Sequence, residues 1–312
     1  MTFDVCIIGH VTKDIIRFDN RPSRELPGGT AYYTAIALRT LGWNVAVVTK
    51  VALNDRASLL SEFEDRGIAV FCQESEVTHT FENSYTKDNP DGRCQKVTAV
   101  ASPFRTFEME PISAAYFHLG PLTKHDLSIE LLRRLAESGS TISADVQGFV
   151  RNVVGGKVES CDWEEKSEGL SLINVLKASQ SEARILSGED DLEAAAIRLA
   201  GYGPKQIIVT LGSQGSLIYA GGKLYRIPTF IPQRKTDATG CGDTYVAGYL
   251  YQISHSHDIR KAGIFAAAMA ALKLESFGPF RGDAAQVRAL TESYSVRSAE
   301  AEFACSQSNP RG

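Results

Sequence analysis

Three small residues and an acid, Gly240-Cys241-Gly242-Asp243, stand inside TDATGCGDTYVAGYL (236–250), directly before an amphipathic apolar run. Glycine lets backbone approach a ligand closely. The first turn of a helix leaves N–H groups without partners, and the helix dipole favours negative charge there. Gly240, Cys241 and Gly242 can therefore cradle an anion with main-chain donors alone. A transferring phosphoryl group suits such a cradle, because its charge spreads over its oxygens in the transition state. Asp243 stands where an acceptor hydroxyl would lose its proton. The helix N-terminus keeps this carboxylate ionised, and a loose phosphoryl-transfer transition state needs deprotonation only late. The bland alternative is an N-cap aspartate after a glycine turn. Cys241 also reads two ways: as a position that needs a small side chain, or as a thiol that the helix N-terminus makes oxidation-sensitive.

Strands and helices must hold this turn in place. FDVCIIGH (3–10) is a short β-branched apolar run, the pattern of a strand buried inside a parallel sheet. GTAYYTAIALRTLG (29–42) has helical spacing and ends in glycine, WNVAVVTKV (43–51) is the next strand, and ASLLSEFEDRG (57–67) the next helix. This βαβα alternation predicts an α/β chain with a mostly parallel sheet. Between Val70 and about Phe107 the residues turn polar and β-rich. NPDG (89–92) reads as a type I turn between two strand-like runs. A hairpin insertion is expected there, joined by residues 11–27 into a small separate sheet. The α/β rhythm resumes at AAYFHLGPL and continues through SIELLRRLAESG, TISADVQGF, INVLKAS (173–179) and KQIIVTLG (205–212). GSLIYAGGKLYRIPTF reads as a hairpin turning at AGG, followed by helices over 243–254 and 258–274. Residues 155–169 read as a surface loop, and 291–312 as a polar, disordered tail after one domain spanning 1–290.

Composition excludes several classes. With 43% hydrophobic and 22% charged residues, the 312-residue chain has a globular balance. Its 33 basic and 37 acidic residues give a net charge of −4, with no basic block to meet nucleic acid. The six cysteines are scattered without a CxxC pair, which argues against zinc and against a secreted disulfide framework. No apolar run approaches the roughly 20 residues of a membrane span. The N-terminus lacks the features of a signal peptide, so a cytoplasmic location is expected. GHVTKD after the first strand is not G-x-G-x-x-G, and no GxxxxGK[ST] occurs, so neither a dinucleotide-binding nor a Walker-type site is predicted.

DATGCGDTYVAGYL resembles the C-terminal signature of the ribokinase-like, or PfkB, carbohydrate kinases. PGGTAYYTAIALRTLG (27–42) is similar to that family's Gly-Gly sugar-binding segment, and VTLGSQGSLIY (209–219) to its nucleotide-binding strand and loop. The resemblance runs from Val5 to about Gly282. It implies a three-layer α/β/α fold with a small β lid over the site, the lid built from about 11–27 and 70–107. It further implies an ATP-dependent kinase in which Gly240, Cys241 and Gly242 form an anion hole and Asp243 is the base. Thr210, Gly212, Ser213 and Gly215 would face ATP. Glu182, in KASQSEARILSG, matches a glutamate that acts on Mg²⁺ through water, which suits a metal that keeps several waters. Ser179 stands where asparagine is usual, a shorter side chain whose phosphate contact is thereby open. Asp237 matches a position that helps hold a monovalent cation, so K⁺ is an open cofactor. Asp14, Gly28, Gly29, Thr30, Tyr33, Gln147 and Arg151 would line the acceptor site. Tyr33 replaces the asparagine of ribokinase, which argues against ribose; helix-face packing is its other reading. GH…D, GGTAYY and DVQGFVR together look closer to an inositol-kinase-like branch, so a sugar or cyclic polyol is the expected partner. A nucleoside kinase with Phe81, Tyr85, Phe104 or Phe107 as stacking aromatics is one alternative, and a non-catalytic relative the other. A homodimer through the lid is left open.

Overall fold

A computed structural model of the chain describes residues 2–18, 21–86, 89–106 and 112–293. The first strand, β1 (Thr2–Ile8), shows why the buried strands read as continuous apolar runs. Val5 and Ile7 enter one hydrophobic layer while Cys6 and Ile8 enter another on the opposite face. After β2 (Thr12–Phe18) and β3 (Arg21–Gly28) come α1 (Thr30–Thr40), β4 (Val45–Val51), α2 (Arg56–Asp65) and β5 (Ala69–Glu74). Then follow β6 (Thr80–Thr86), β7 (Asn89–Ala99), β8 (Ser113–Leu119), α3 (Ile129–Ala136) and β9 (Thr141–Asp145). Next are β10 (Arg151–Val154), β11 (Lys157–Ser160), α4 (Lys166–Ser171), β12 (Val175–Ser179), α5 (Gln180–Ser187) and α6 (Leu192–Ala200). The chain continues through β13 (Gln206–Thr210), β14 (Ser216–Ala220), β15 (Lys223–Ile227), α7 (Cys241–Ser256) and α8 (Ile259–Leu274).

The main sheet has the order β15-β14-β13-β12-β9-β8-β1-β4-β5. Its strands from β13 to β5 are mutually parallel, and the hairpin β14–β15 adds an antiparallel edge. α1, α2, α7 and α8 cover one face around Leu38, Phe63 and Tyr249; α3 to α6 cover the other around Leu119 and Phe149. Local signals fix the helix starts. Ser128 caps α3 by accepting from the Leu131 amide, Asp191 caps α6 and Asp258 caps α8 in the same way. This is the expected three-layer α/β/α architecture.

The smaller sheet has the order β3-β2-β6-β7, so residues from both expected segments do combine. Its hairpin differs from the sequence reading. NPDG lies at the start of β7 rather than in a turn, because Thr86 already pairs with Asn89. β7 is an edge strand, where a proline costs no ladder hydrogen bond. The expected surface loop at 155–169 is also corrected. β10 and β11 form a hairpin that reverses at Gly155 (φ 57°) and Gly156 (φ 78°), two left-handed residues that suit a two-residue turn. The Val97 amide donates to Gly156 O at 2.9 Å, tying this hairpin to β7. Phe81, Val97 and Leu122 pack with Val153 and Val158 as a small separate core. The expected tail lies outside the described residues from 294 onward. Among the described residues no helix is long and apolar enough to cross a membrane.

Candidate active site

Parallel strands bring their carboxyl ends to one edge of the sheet, where open α/β sheets bind ligands. β9 ends there at Asp145, β12 at Ser179 and β13 at Thr210; register sets Lys177 beside Asp145 and Ser179 beside Thr210. Over this edge stands the start of α7. Gly240 is its N-cap, in the left-handed region at φ 76°. A Cβ there would also come within 2.2 Å of the Tyr33 ring, so any other residue would meet both backbone strain and a clash. The Cys241 amide donates to Ala238 O at 3.2 Å. The first-turn amides that an α-helix must leave without intrahelical acceptors are then those of Gly242 and Asp243.

Asp243 is enclosed on several sides and keeps a partial opening to solvent. The Thr30 hydroxyl donates to its carboxylate, and Thr34 Oγ1 lies 3.5 Å from its carbonyl. Two helix starts, α1 and α7, are thus joined through this residue. Burial, with the nearby Asp145 and Glu182 carboxylates, pushes the Asp243 carboxyl up to about 6, against the opposing pull of Lys177 and Thr30. It is a carboxylate at neutral pH and a better base than an exposed aspartate.

Beneath the cradle is a pair that sequence reasoning missed. Lys177 Nζ donates to Asp145 Oδ2 at 2.7 Å, and both side chains are buried. A Cβ on Gly242 would lie 3.0 Å from Lys177 Nζ, so the ammonium lies directly against the cradle. The carboxylates of Asp145, Glu182 and Asp243 hold this lysine charged despite its burial. The signal was present in VLKAS and TISAD, two runs read as strands of the main sheet that nonetheless carry a charge; a charge buried in a sheet needs a partner.

On the lid side, Asp14 Oδ1 accepts from Thr12 Oγ1 at 2.7 Å. A Cβ on Gly28 would stand 2.4 Å from Asp14 Oδ2, and one on Gly29 2.5 Å from His10 O. The double glycine therefore lets β3 close onto β2 at this carboxylate. Thr30 is buried and faces Asp243. Tyr33 is 6% exposed and packs on Gly240. Burial, reinforced by Asp14, Asp237 and Asp243, raises its phenol well above the ordinary range.

The remaining expected residues fall into two groups along the same edge. Ser179 caps α5, and Glu182 closes a capping box: Glu182 Oε2 accepts from the Ser179 amide at 2.8 Å. Arg151 Nη2 lies 3.8 Å from Glu182 Oε1, which sets Arg151 beside this capping box. The Gln147 amide donates to Asp145 Oδ1 at 3.1 Å, so Gln147 follows the Lys177 pair. Thr210 Oγ1 donates to Ala178 O at 3.4 Å, and Gly212, Ser213 and Gln214 form an exposed turn ending at Gly215. Asp237 precedes the cradle and is paired with Lys273. Among the described residues no three His, Cys, Asp or Glu side chains gather to hold a metal. Two of the four aromatics offered for base stacking are enclosed in the fold. Phe81 and Phe104 are buried; Phe107 and the Tyr85 side chain lie outside the described residues. Burial pushes the Cys241 thiol up to about 11, and its sulfur turns towards Ala270 O at 3.7 Å, away from an activated state.

The pfkB family carbohydrate kinase profile matches residues 2–283. A solved pyrophosphate-dependent kinase of the ribokinase family, complexed with a pyrophosphate analogue and myo-inositol, is 29% identical. It superposes with a TM-score of 0.80 over 89% of this chain and 97% of its own. The cytidine kinase of Thermococcus kodakarensis is 24% identical over 266 residues, 83% of this chain and 91% of its own. The ribokinase of Bacillus subtilis is 26% identical over 289 residues, 88% of this chain and 94% of its own. Kinases of this family generally use ATP and Mg²⁺. The chain belongs to the pfkB carbohydrate kinase family and is a sugar or nucleoside kinase of the ribokinase type.

Proposed function

We propose that the protein transfers the terminal phosphoryl group of ATP to a hydroxyl of a cyclic polyol or sugar, with a myo-inositol-like acceptor favoured. One observation carries the reading: Asp243, raised to about 6, stands at the α7 start between the Thr30 hydroxyl and the Lys177 ammonium. A carboxylate so placed can take a proton while adjacent N–H groups hold a phosphoryl oxygen.

Asp14 and the Gly28–Gly29 backbone hold acceptor hydroxyls, with Thr30, Tyr33, Gln147 and Arg151 shaping the rest of the pocket. The donor phosphates lie along Ser179, Thr210 and the Gly212–Ser213–Gly215 turn. Asp243 takes the proton of the acceptor hydroxyl. It does so as the acceptor oxygen bonds to the terminal phosphorus and the bond to the leaving phosphate oxygen breaks, and ADP departs. Gly240, Cys241 and Gly242 keep this helix start narrow, and the amides of Gly242 and Asp243 with Lys177 meet the transferring oxygens. Mg²⁺, when bound with the donor, neutralises charge on its phosphates, and Glu182 would hold it through water. One carboxylate, that of Glu182, suffices for a metal that takes most of its ligands from waters and phosphates. Closure of the small sheet over the acceptor excludes water.

The pyrophosphate-dependent relative favours a second reading of the donor alone. Pyrophosphate would occupy the same cradle and leave the Gly212–Gly215 turn without a nucleotide. A matrix of donors (ATP, pyrophosphate) against acceptors (myo-inositol, ribose, fructose, cytidine), read by phosphorylated product, decides both. Turnover of myo-inositol with ATP supports the first reading, and with pyrophosphate the second. Turnover confined to cytidine would overturn the polyol assignment.

A further inference from the structure

A monovalent-cation site needs oxygen ligands that converge on open space. At Asp237 the oxygens converge, but on a side chain of the protein itself. Lys273 Nζ donates to Asp237 O at 2.7 Å, to Asp237 Oδ2 at 3.2 Å and to Ser276 O at 3.5 Å. An ammonium has three N–H donors, and all are accounted for. The Lys273 side chain is fully buried. Its nitrogen lies 5.9 Å from the centre of the Tyr33 ring, within cation–π range. Lys273 also lies in the last turn of α8, where the helix dipole favours a cation.

The loop around it is built for a positive centre. The amides of Thr239 and Gly278 donate to the two Asp237 carboxylate oxygens at 2.9 and 3.4 Å, and the Thr236 amide donates to Leu274 O at 2.8 Å. Residues 236–239 are thereby fastened to the end of α8, one residue before the Gly240 N-cap. Tyr33, which the ammonium faces, is the ring that packs on Gly240. The Asp237 oxygens thus do not fit K⁺, because Lys273 already fills the position that the ion would take.

We propose that Lys273 is a built-in monovalent cation, a positioning residue that holds the Asp237 loop and hence the cradle, and that the enzyme works without K⁺. The kinetic arm of this inference rests on the proposed phosphotransfer; the thermal arm needs no substrate, so the two can fail separately. Wild-type turnover and thermal midpoint are measured in KCl, NH₄Cl and tetramethylammonium chloride at matched ionic strength, beside Lys273→Ala and the less disruptive Lys273→Gln. The wild type is expected to be indifferent to the cation in both readouts. In tetramethylammonium chloride Lys273→Ala loses about tenfold to a hundredfold in kcat, the scale of a small misplacement of catalytic groups. K⁺ or NH₄⁺ restores its kcat and raises its midpoint, because the small ion enters the vacated space. Strong K⁺ activation of the wild type would overturn the proposal, with no variant required. So would a folded Lys273→Ala protein whose midpoint and turnover ignore every cation, or a folded Lys273→Gln protein with wild-type turnover.

Discussion

Two lysine–aspartate pairs, each with a buried lysine, flank the cradle, and they are used differently. Lys177–Asp145 lies beneath it at 2.7 Å, and Lys273–Asp237 lies behind it at 3.2 Å. Lys273 spends its three donors on Asp237 and Ser276. Lys177 has one hydrogen-bond partner among the described residues, Asp145, and its nitrogen borders Gly242. The Lys273 pair closes on itself at the loop that precedes the cradle. The Lys177 pair leaves donors on the side of Gly242, where phosphoryl oxygens would lie in the proposed transfer. A buried ion pair by itself says little about stability or role, since desolvation offsets much of its attraction. On the proposed phosphotransfer, the unspent donors separate a structural pair from one that would meet substrate.

Changes at the active face should exceed those behind it. The largest effect is expected for Asp243→Asn, which should lower kcat by about 10²–10⁴, the range for a lost general base. The same variant should be more stable than wild type at pH 8. The sign follows from the raised carboxyl. An unfolded aspartate titrates near 3.9 and this one near 6, so its stabilising contribution is present below the lower value and lost as pH rises through the higher. Asparagine removes that loss, giving on the order of 1–3 kcal/mol at pH 8 and nothing at pH 4 by calorimetry. A D243N protein no more stable than wild type at pH 8 would mean that the site does not strain the carboxylate.

The next largest effect belongs to Lys177. Lys177→Met paired with Asp145→Asn, which avoids a lone buried charge, should cost about 10²–10³ in kcat, as for loss of one oxyanion donor. Added K⁺ or NH₄⁺ should not recover it, whereas Lys273→Ala should recover. That contrast breaks down if both respond alike to cations. The smallest effect is expected at Cys241. Cys241→Ser should keep activity within about twofold, as for a substitution that only needs to stay small, and alkylating agents should leave the wild type active.

Much of this arrangement was legible in the residues. The βα alternation, the two-segment small sheet and the glycine turn ahead of α7 all follow from local patterns: β-branched runs, caps and glycine spacing. What escaped reading depends on which side chains meet across the fold. Lys273 is spelled like any surface lysine and Lys177 only as a charge inside a strand; the register of β12 on β9 and the end of α8 reveal their partners. Tyr33 could face a ligand or a neighbour, and its contact with Gly240 comes from a helix start 207 residues away in the chain. Pro and Gly in NPDG signal a turn, yet an edge strand accommodates both, and Asn89 already pairs with Thr86. Gly155-Gly156 was the opposite case, a true reversal hidden inside a polar stretch.

The central claim is that turnover depends on the ionisation of Asp243, poised between Thr30 and Lys177. The most direct test is the pH dependence of kcat/KM for the best acceptor, compared between wild type and Thr30→Val. The wild type should rise to a plateau through an apparent pKa near 6, since the base must be ionised. Thr30 donates to the charged form, so its removal should move that limb to higher pH. A limb that stays in place in Thr30→Val, or a wild-type profile flat between about pH 5 and 8, would contradict the assignment of Asp243 as the base.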